Sequence, residues 1–334
     1  MSAVCPSPND AAPEGADRAC DISVMLAPEF RLQSGEKLSR PEIALRIHGD
    51  ISKPAIVAAG GISAGRKVSE NAGEKGWWSD LIGRGGAIDL VDYCVIGFDF
   101  LPNPAEKART FSSRDQARAL AFALTKIDIG ELHAFIGASY GGMVALAFAQ
   151  EFPERLERLV AISAADRPHP AATALRGVQR RIIEFARRAG AAREGVSLAR
   201  QIAMVTYRTP EEFATRFDHA PGARAGDPYP VCDYLIARGD AHEMAPERYV
   251  SLSDSIDRHR VDPEKITTPA LFIASSSDRL VPVADIERLT AGVANGALRV
   301  INSLYGHDAF LKEAANIGPI IQSFIEDRRH DAHA

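Results

Sequence analysis

A serine between closely spaced glycines is the pattern in this sequence with the most evident chemical use. The run Gly137-Ala138-Ser139-Tyr140-Gly141-Gly142 follows an apolar stretch at 133–136 and precedes an Ala-rich stretch of helical character. A G-x-S-x-G pattern between a strand and a helix is typical of a sharp turn that exposes the serine hydroxyl above a sheet. Glycines permit that turn, and the backbone N–H of Tyr140 would face a developing oxyanion. The sequence therefore predicts Ser139 as a nucleophile, with a passive serine in a Gly-rich turn as the alternative.

A serine nucleophile needs a base and a carboxylate that orients the base, because its hydroxyl is weakly nucleophilic at neutral pH. In enzymes with this elbow the acid and then the histidine follow the serine along the chain. Asp278 follows the apolar run 270–274, and His307 follows the run 298–301. Sites of open α/β sheets lie at the carboxyl ends of such strands. The order predicts a triad of Ser139, Asp278 and His307; the alternatives are a helix-capping turn residue and a surface histidine.

A Gly-rich loop near the start of the chain is the predicted source of a second oxyanion donor. Gly60, Gly61 and Gly65 follow the apolar run 55–59. In this type of site a backbone N–H from the turn after an early strand joins the N–H that follows the nucleophile. The predicted donor is the N–H of Ile62 or of Ser63, and the sequence does not decide between them. The alternative is that this segment is a flexible loop without a role in catalysis.

The elements that must hold these residues are short apolar runs separated by stretches of helical pattern. The runs are rich in β-branched residues and lie at 43–47, 55–59, 93–98, 133–136, 159–162, 270–274 and 298–301. Uninterrupted apolar runs are typical of parallel strands that helices cover on both faces. The alternation predicts a mostly parallel sheet flanked by helices. Together with the elbow and the order of the triad, it predicts the α/β-hydrolase fold.

The chain divides by composition into a core, an insertion and a tail. Residues 167–261 are Arg-rich, helical in pattern and without a convincing strand, so we predict a helical lid insertion over the carboxyl edge of the sheet. Residues 31–166 and 262–334 then form the core. Residues 1–30 begin with a stretch rich in Ala, Pro, Ser and Asp, and we expect a flexible N-terminal tail there.

The overall composition excludes several classes of protein. The 334 residues are 46% hydrophobic and 25% charged, with a formal net charge of −5, so the basic footprint of nucleic-acid binding is missing. Four scattered cysteines and singly placed histidines predict neither a metal site nor a disulfide framework. The N-terminal stretch lacks the basic start and apolar run of a signal peptide, and apolar windows are too short for a membrane helix. We expect a cytoplasmic protein with no nucleic-acid or membrane partner.

Three further segments make the sequence resemble a known family. Gly-Ala-Ser139-Tyr-Gly-Gly-Met143, then Arg200-Gln-Ile-Ala-Met-Val-Thr-Tyr207-Arg208, then Tyr305-Gly-His307-Asp308-Ala-Phe310 are similar to segments of the homoserine O-acyltransferases of methionine biosynthesis. The resemblance extends over most of the chain from about residue 40, and Gly-His-Asp-Ala-Phe is more specific than the elbow alone.

The resemblance implies an activity and a set of substrate contacts. Members of this family transfer an acyl group from acyl-coenzyme A to the hydroxyl of L-homoserine through an acyl-serine, with acyl-CoA as co-substrate and no bound cofactor. By position, Arg200, Tyr207 and Asp308 would hold the amino acid, since a guanidinium suits its carboxylate and a carboxylate suits its ammonium group. Relatives are often dimers that pack through the insertion, which implies a possible homodimer here.

The acyl donor and the acceptor stay open at this stage. Some succinyl-transferring members carry an arginine two residues after the triad aspartate, where this chain has Leu280, and this favours acetyl over succinyl. Arg66 and Arg279 are the alternative partners for a succinyl carboxylate. A serine hydrolase that uses the same triad with water, acyl transfer to L-serine, and a non-catalytic binding protein are the competing interpretations.

Overall fold

The computed structural model describes residues 19–39, 41–102, 107–218 and 229–327. Its strands are β1 (Ala19–Met25), β2 (Glu29–Arg31), β3 (Lys37–Ser39), β4 (Glu42–His48), β5 (Ala55–Ala59), β6 (Cys94–Phe98), β7 (Ala134–Ala138), β8 (Leu159–Ile162), β9 (Ala270–Ser275) and β10 (Gly296–Ile301). Its α-helices are α1 (Ser113–Lys126), α2 (Tyr140–Glu151), α3 (Pro170–Arg188), α4 (Ala192–Tyr207), α5 (Pro210–Arg216), α6 (Pro230–Asp240), α7 (Pro246–Asp257), α8 (Val283–Gly292), α9 (Ala309–Lys312) and α10 (Ala314–Ile325).

In the described part of the chain one sheet of eight strands has the order β1-β4-β6-β5-β7-β8-β9-β10. The six strands from β6 to β10 along this order are parallel, whereas β4 is antiparallel to β6 and β1 is antiparallel to β4. Each predicted apolar run coincides with one strand to within two residues at either end. The predicted mostly parallel sheet flanked by helices is therefore confirmed.

Successive side chains of the central strands enter two separate cores, one on each face of the sheet. Val57 and Phe135 pack in the core that holds α1 and α2, whereas Ile56 and Ile136 pack in the core that holds α10. These four side chains are fully buried, and burial of such a side chain contributes about 1.5 to 3 kcal/mol. Because both faces are covered, the strands read as continuous apolar runs rather than alternating ones.

The helix before the elbow begins at Ser113 and is fixed by a reciprocal capping box. Ser112 is the N-cap of α1: its hydroxyl accepts from the N–H of Asp115, while the Asp115 carboxylate accepts from the N–H of Ser112. This pairing satisfies two otherwise unpaired donors at the start of the helix.

The prediction of a flexible tail over residues 1–30 is wrong for residues 19–25, which form β1. Ile22 and Val24 alternate with Asp21 and Ser23, and the strand pairs along its whole length with β4. A half-exposed edge strand needs apolar residues on one face only, so its composition resembles that of a loop. The first 18 residues of the expected tail lie outside the described residues.

Helices α3 to α7 occupy the stretch between β8 and β9. A small core of Ile183, Val196, Ala199 and Tyr249 joins α3, α4 and α7. Ion pairs of Arg176 and Arg180 of α3 with Asp257 of α7 join two of these helices further. None of the described helices combines the length and the apolar character needed to cross a bilayer.

Candidate active site

Ser139 lies on a sharp turn between β7 and α2, with φ 54° and ψ −121°. A non-glycine residue with a positive φ of this kind stores about 1 to 3 kcal/mol of strain. The neighbouring glycines make the turn possible: a Cβ on Gly137 would lie 2.3 Å from the carbonyl oxygen of Gly141, and a Cβ on Gly141 would lie 2.2 Å from that of Ala59. The spacing of serine and glycines is thus required by backbone contacts.

The structure brings the three predicted triad residues together. With its proton on Nδ1, His307 donates to Oδ2 of Asp278 over 2.7 Å, and its Nε2 accepts from the Ser139 hydroxyl over 2.8 Å. His307 and Asp278 are buried. This is the mutual geometry of a nucleophile, a base and an orienting carboxylate.

Backbone and hydroxyl hydrogen bonds hold the loops of the acid and the base. Oδ1 of Asp278 accepts from the N–H groups of Leu280 and Val281, so the carboxylate is fixed from both sides. The Ser277 hydroxyl donates to the carbonyl of Ser303 and accepts from the N–H of Gly306. These bonds tie the loop after β9 to the loop after β10, and they set the distance between the acid and the base.

The pKa of His307 is governed by two opposing effects. Burial lowers the pKa of the imidazole, whereas the charge of Asp278 and its hydrogen bond raise it, and the pKa of His307 lies above its ordinary value of 6.5. A carboxylate beside a buried imidazole favours the protonated ring. The arrangement therefore stabilises the imidazolium that forms when the base accepts a proton.

The residues predicted as oxyanion donors line the same cavity as Ser139. Tyr140 is the first residue of α2, so its N–H has no acceptor within the helix. Ile62 and Ser63 occupy the centre of a turn closed by the N–H of Ala64 and the carbonyl of Gly61, and both line the cavity that contains Ser139. The side chain of Tyr140 points away into the core, where its hydroxyl meets that of Ser255 at 2.5 Å.

A cavity of about 220 Å³ opens beside Ser139 and His307, and the helical stretch provides one of its walls. Arg200 and Tyr207 of α4 and Asp308 all line it, so the predicted substrate-binding residues meet at one site. The guanidinium of Arg200 lies 5.4 Å from the ring centroid of Tyr207, and that ring lies 5.8 Å from the His307 ring. Burial raises the pKa of the Tyr207 hydroxyl, which therefore stays protonated.

Sequence reasoning missed several charged and polar groups at this cavity. Nε of Arg208 donates to Oδ2 of Asp308 over 2.8 Å, which fixes one of the two carboxylate oxygens. Arg176 of α3 lines the cavity, and so does Ser163, whose buried hydroxyl has no hydrogen-bond partner among the described residues. The signal for Ser163 was its position directly after β8, at the edge that carries Ser139.

The structure places the residues considered for the acyl donor in different surroundings. Leu280 lines the cavity. Arg66 is paired with Asp21 and Asp99 and lines a neighbouring pocket, and Arg279 is exposed. Neither arginine is among the described residues that line the cavity beside Ser139.

The sheet, the strained serine and the Ser-His-Asp hydrogen bonds define an α/β hydrolase, and residues 76–314 match the alpha/beta hydrolase fold family. The chain is 42% identical over 292 residues to a homoserine O-succinyltransferase of Xanthomonas campestris pv. campestris, covering 85% of this chain and 79% of that protein. It is 33% identical over 286 residues to a homoserine O-acetyltransferase of Thermus thermophilus, covering 76% and 73% of the two chains. The chain belongs to the homoserine O-acyltransferase family.

A solved structure shows the same fold. The homoserine O-acetyltransferase from Bacillus anthracis superposes with a TM-score of 0.85 at 17% identity, over 92% of this chain and 98% of that one. The curated relatives, a succinyltransferase and an acetyltransferase among them, confirm the family resemblance seen in the three sequence segments.

Proposed function

We propose that this protein transfers an acyl group from acyl-coenzyme A to the hydroxyl of L-homoserine, as a step of methionine biosynthesis. The observation that carries the proposal is the meeting of a hydrogen-bonded Ser139-His307 pair with Arg200 and Asp308 in one cavity. An amino acid offers a carboxylate and an ammonium group, which match a guanidinium and a carboxylate. An esterase that acts on a neutral ester needs neither charge.

In the first half of the reaction the acyl group moves to the enzyme. His307 takes the proton of the Ser139 hydroxyl while Oγ bonds to the thioester carbonyl carbon. The N–H of Tyr140 and that of Ile62 or Ser63 stabilise the oxyanion. The C–S bond then breaks, the proton on His307 passes to the departing sulfur, and coenzyme A leaves as a thiol.

In the second half the acceptor takes the acyl group. Arg200 holds the carboxylate of L-homoserine, Asp308 holds its ammonium group, and Tyr207 packs between Arg200 and the base. The substrate hydroxyl gives its proton to His307 as its oxygen bonds to the acyl carbon. The bond to Oγ then breaks, and His307 returns the proton to Ser139.

Transfer requires that water does not reach the acyl-serine before the acceptor does. An oriented hydroxyl has a large entropic advantage over bulk water, and a closed site favours it further. The cavity beside Ser139 is small, and α3, α4 and α7 wall it on one side. We therefore assign residues 167–261 the role of a lid that limits hydrolysis.

The test of this proposal is a steady-state assay of thiol release. Acetyl- and succinyl-coenzyme A are each supplied with L-homoserine, with L-serine and without an acceptor. Release that depends on L-homoserine supports the acyltransferase. Equal release without an acceptor, or cleavage of simple esters alone, would identify a serine hydrolase, and preference for L-serine would reassign the acceptor.

Activity is expected to fall on acidification through an apparent pKa above 6.5. His307 must be neutral to accept a proton, and burial, which lowers its pKa, is outweighed by Asp278, which raises it above 6.5. Below that pKa, kcat/KM should fall about tenfold per pH unit. The measurement is the pH profile of kcat/KM for the acyl donor. Asp278→Asn should move the acidic side of this profile to lower pH, because it removes the charge that raises the pKa of His307. An unchanged profile would contradict the assignment of His307 as the base.

We also propose a homodimer that packs through α3 and α4. Val178 and Phe185 lie two turns apart on α3, as Leu198 and Val205 do on α4, and their exposures are 48%, 77%, 50% and 50%. Val178, Phe185 and Leu198 line one open surface pocket, which we call the apolar patch. Residues seven apart share a helix face, and exposed apolar patches mark interaction sites. Both helices thus present apolar residues to a second copy.

Phe185→Asp is expected to convert the dimer into a monomer, because it would bury an unpaired charge within the apolar patch. The measurement is sedimentation equilibrium of wild type and variant. Val91→Asp is the matched control, since Val91 is also half exposed but lies outside the patch. A wild-type protein that sediments as a monomer would rule out the dimer.

A further inference from the structure

The walls of the cavity beside Ser139 carry more positive than negative charge. Among the described residues that line it, the guanidinium groups belong to Arg176 and Arg200, and the carboxylate belongs to Asp308. Asp308 is already paired with Arg208. A bound L-homoserine would use Arg200 and Asp308, and it would leave the charge of Arg176 without a partner from the substrate.

Arg176 is only partly neutralised by the protein. Its Nε and Nη2 both contact Oδ1 of Asp257, at 2.8 and 2.7 Å. Oδ2 of the same carboxylate accepts from Nη1 of Arg180 over 2.7 Å. Two guanidinium groups therefore share one carboxylate, and the cluster of Arg176, Arg180 and Asp257 keeps a net positive charge because arginine does not lose its proton.

One end of the Arg176 guanidinium is available to a ligand. No acceptor among the described residues bonds its Nη1 group, and 14% of the side chain is exposed. Asp257 and Thr173 hold the other nitrogens, so the direction of the group is set before a ligand arrives. A fixed guanidinium that faces a cavity suits a carboxylate ligand.

We infer that Arg176 binds the distal carboxylate of a dicarboxylic monoacyl donor such as succinyl-coenzyme A, and that it sets the donor preference of this enzyme. The inference rests on the proposed function and deepens it. The preference for acetyl was predicted from Leu280 alone, a single position two residues after Asp278. Arg176, the second arginine that lines the cavity, comes from α3 instead. Arg200 then serves the acceptor and Arg176 serves the donor.

The test compares succinyl-, butyryl- and acetyl-coenzyme A as donors to L-homoserine. Butyryl matches the chain length of succinyl and replaces the carboxylate by a methyl group. Wild type should prefer succinyl. Arg176→Gln should lower kcat/KM for succinyl-coenzyme A about 10- to 100-fold, the worth of a hydrogen bond to a charged group, and should leave the acetyl donor within about threefold. Arg176→Lys should keep part of the preference, because it keeps the charge without the fork.

Arg187→Gln is the matched control. Arg187 lies on the same helix as Arg176, pairs with Glu184 and is not among the described residues that line the cavity, so its loss removes a charge from α3 without touching Asp257 or the proposed contact. Its ratio of succinyl to acetyl transfer should equal that of wild type. An equal fall for all donors in Arg176→Gln, or a changed ratio in Arg187→Gln, would show that the donor preference does not depend on a contact of Arg176 and would overturn the inference.

The failure of the inference and that of the proposed function give different results. If wild type transfers acetyl but not succinyl to L-homoserine, the acyltransferase stands and the role of Arg176 falls. If the succinyl preference vanishes in Arg200→Leu instead of Arg176→Gln, the two arginines have been assigned to the wrong substrates. If no donor gives release that depends on L-homoserine, the proposed function fails and the inference fails with it.

Discussion

Replacement of Ser139 by alanine is expected to lower thiol release that depends on L-homoserine about 10,000-fold, the scale seen when a member of a serine triad is removed. In the proposed mechanism Oγ of Ser139 is the atom that bonds the acyl carbon, and its hydrogen bond to Nε2 of His307 is 2.8 Å long. Water or the acceptor hydroxyl would have to attack the thioester directly. The measurement is kcat/KM for each donor, together with mass spectrometry of the protein after mixing with donor alone.

The mass measurement separates a covalent route from direct transfer. Wild type mixed with donor and no acceptor should gain the mass of one acyl group, and Ser139→Ala should gain none. Ser276→Ala is the matched control, since Ser276 is an exposed serine near Asp278 and should leave both readouts unchanged. Acylation of the alanine variant, or activity within tenfold of wild type, would exclude Ser139 as the nucleophile.

Replacement of Arg200 by leucine is expected to lower kcat/KM for L-homoserine about 100- to 10,000-fold, since a charged pair with two hydrogen bonds is lost and each is worth about 1.5 to 3 kcal/mol. The guanidinium lines the cavity and lies over the Tyr207 ring, and no carboxylate of the described residues forms an ion pair with it. The effect should fall on the second half of the reaction alone. Acylation by donor in the absence of acceptor should keep its wild-type rate.

That division between the two halves distinguishes an acyltransferase from an esterase. In an esterase the second substrate is water, and loss of Arg200 would change neither half selectively. Arg193→Leu is the control, because Arg193 is exposed on the same helix. A parallel loss of the acylation rate in Arg200→Leu would mean that this arginine serves the donor or the fold of α4, contrary to the proposal.

The loop that carries the base depends on the helical stretch as much as on the sheet. Gly306 has φ +59°, and a Cβ there would lie 2.7 Å from the carbonyl oxygen of Tyr207 at the end of α4. The Thr209 hydroxyl donates to the carbonyl of Leu304 over 2.6 Å. The residues proposed to bind substrate and those of the triad therefore meet at one junction, and the glycine before His307 is needed for close backbone approach.

The sequence by itself determined the sheet and the order of the triad. Buried parallel strands need continuous apolar runs, and such a run can be recognised from a few neighbouring residues. A nucleophile elbow likewise needs glycines at set spacings around Ser139. Because the carboxyl ends of parallel strands share one edge, Asp278 and His307 had to lie near that serine.

Only the tertiary structure placed Arg176 at the cavity and Arg208 beside Asp308. The helical stretch contains many arginines, and its pattern is that of solvated helix surfaces, so nothing in it singled out Arg176, Arg208 or Asp257. As partners for a succinyl carboxylate, Arg66 and Arg279 were suggested by their closeness in sequence to the site loops. The edge strand β1 was missed for a similar reason. It lacks a continuous apolar run, and it forms a strand by pairing along its whole length with β4. Local patterns specify helices, strands and turns. The partner of a long charged side chain depends instead on how helices that are distant in sequence pack together, and a short segment of sequence does not determine that packing.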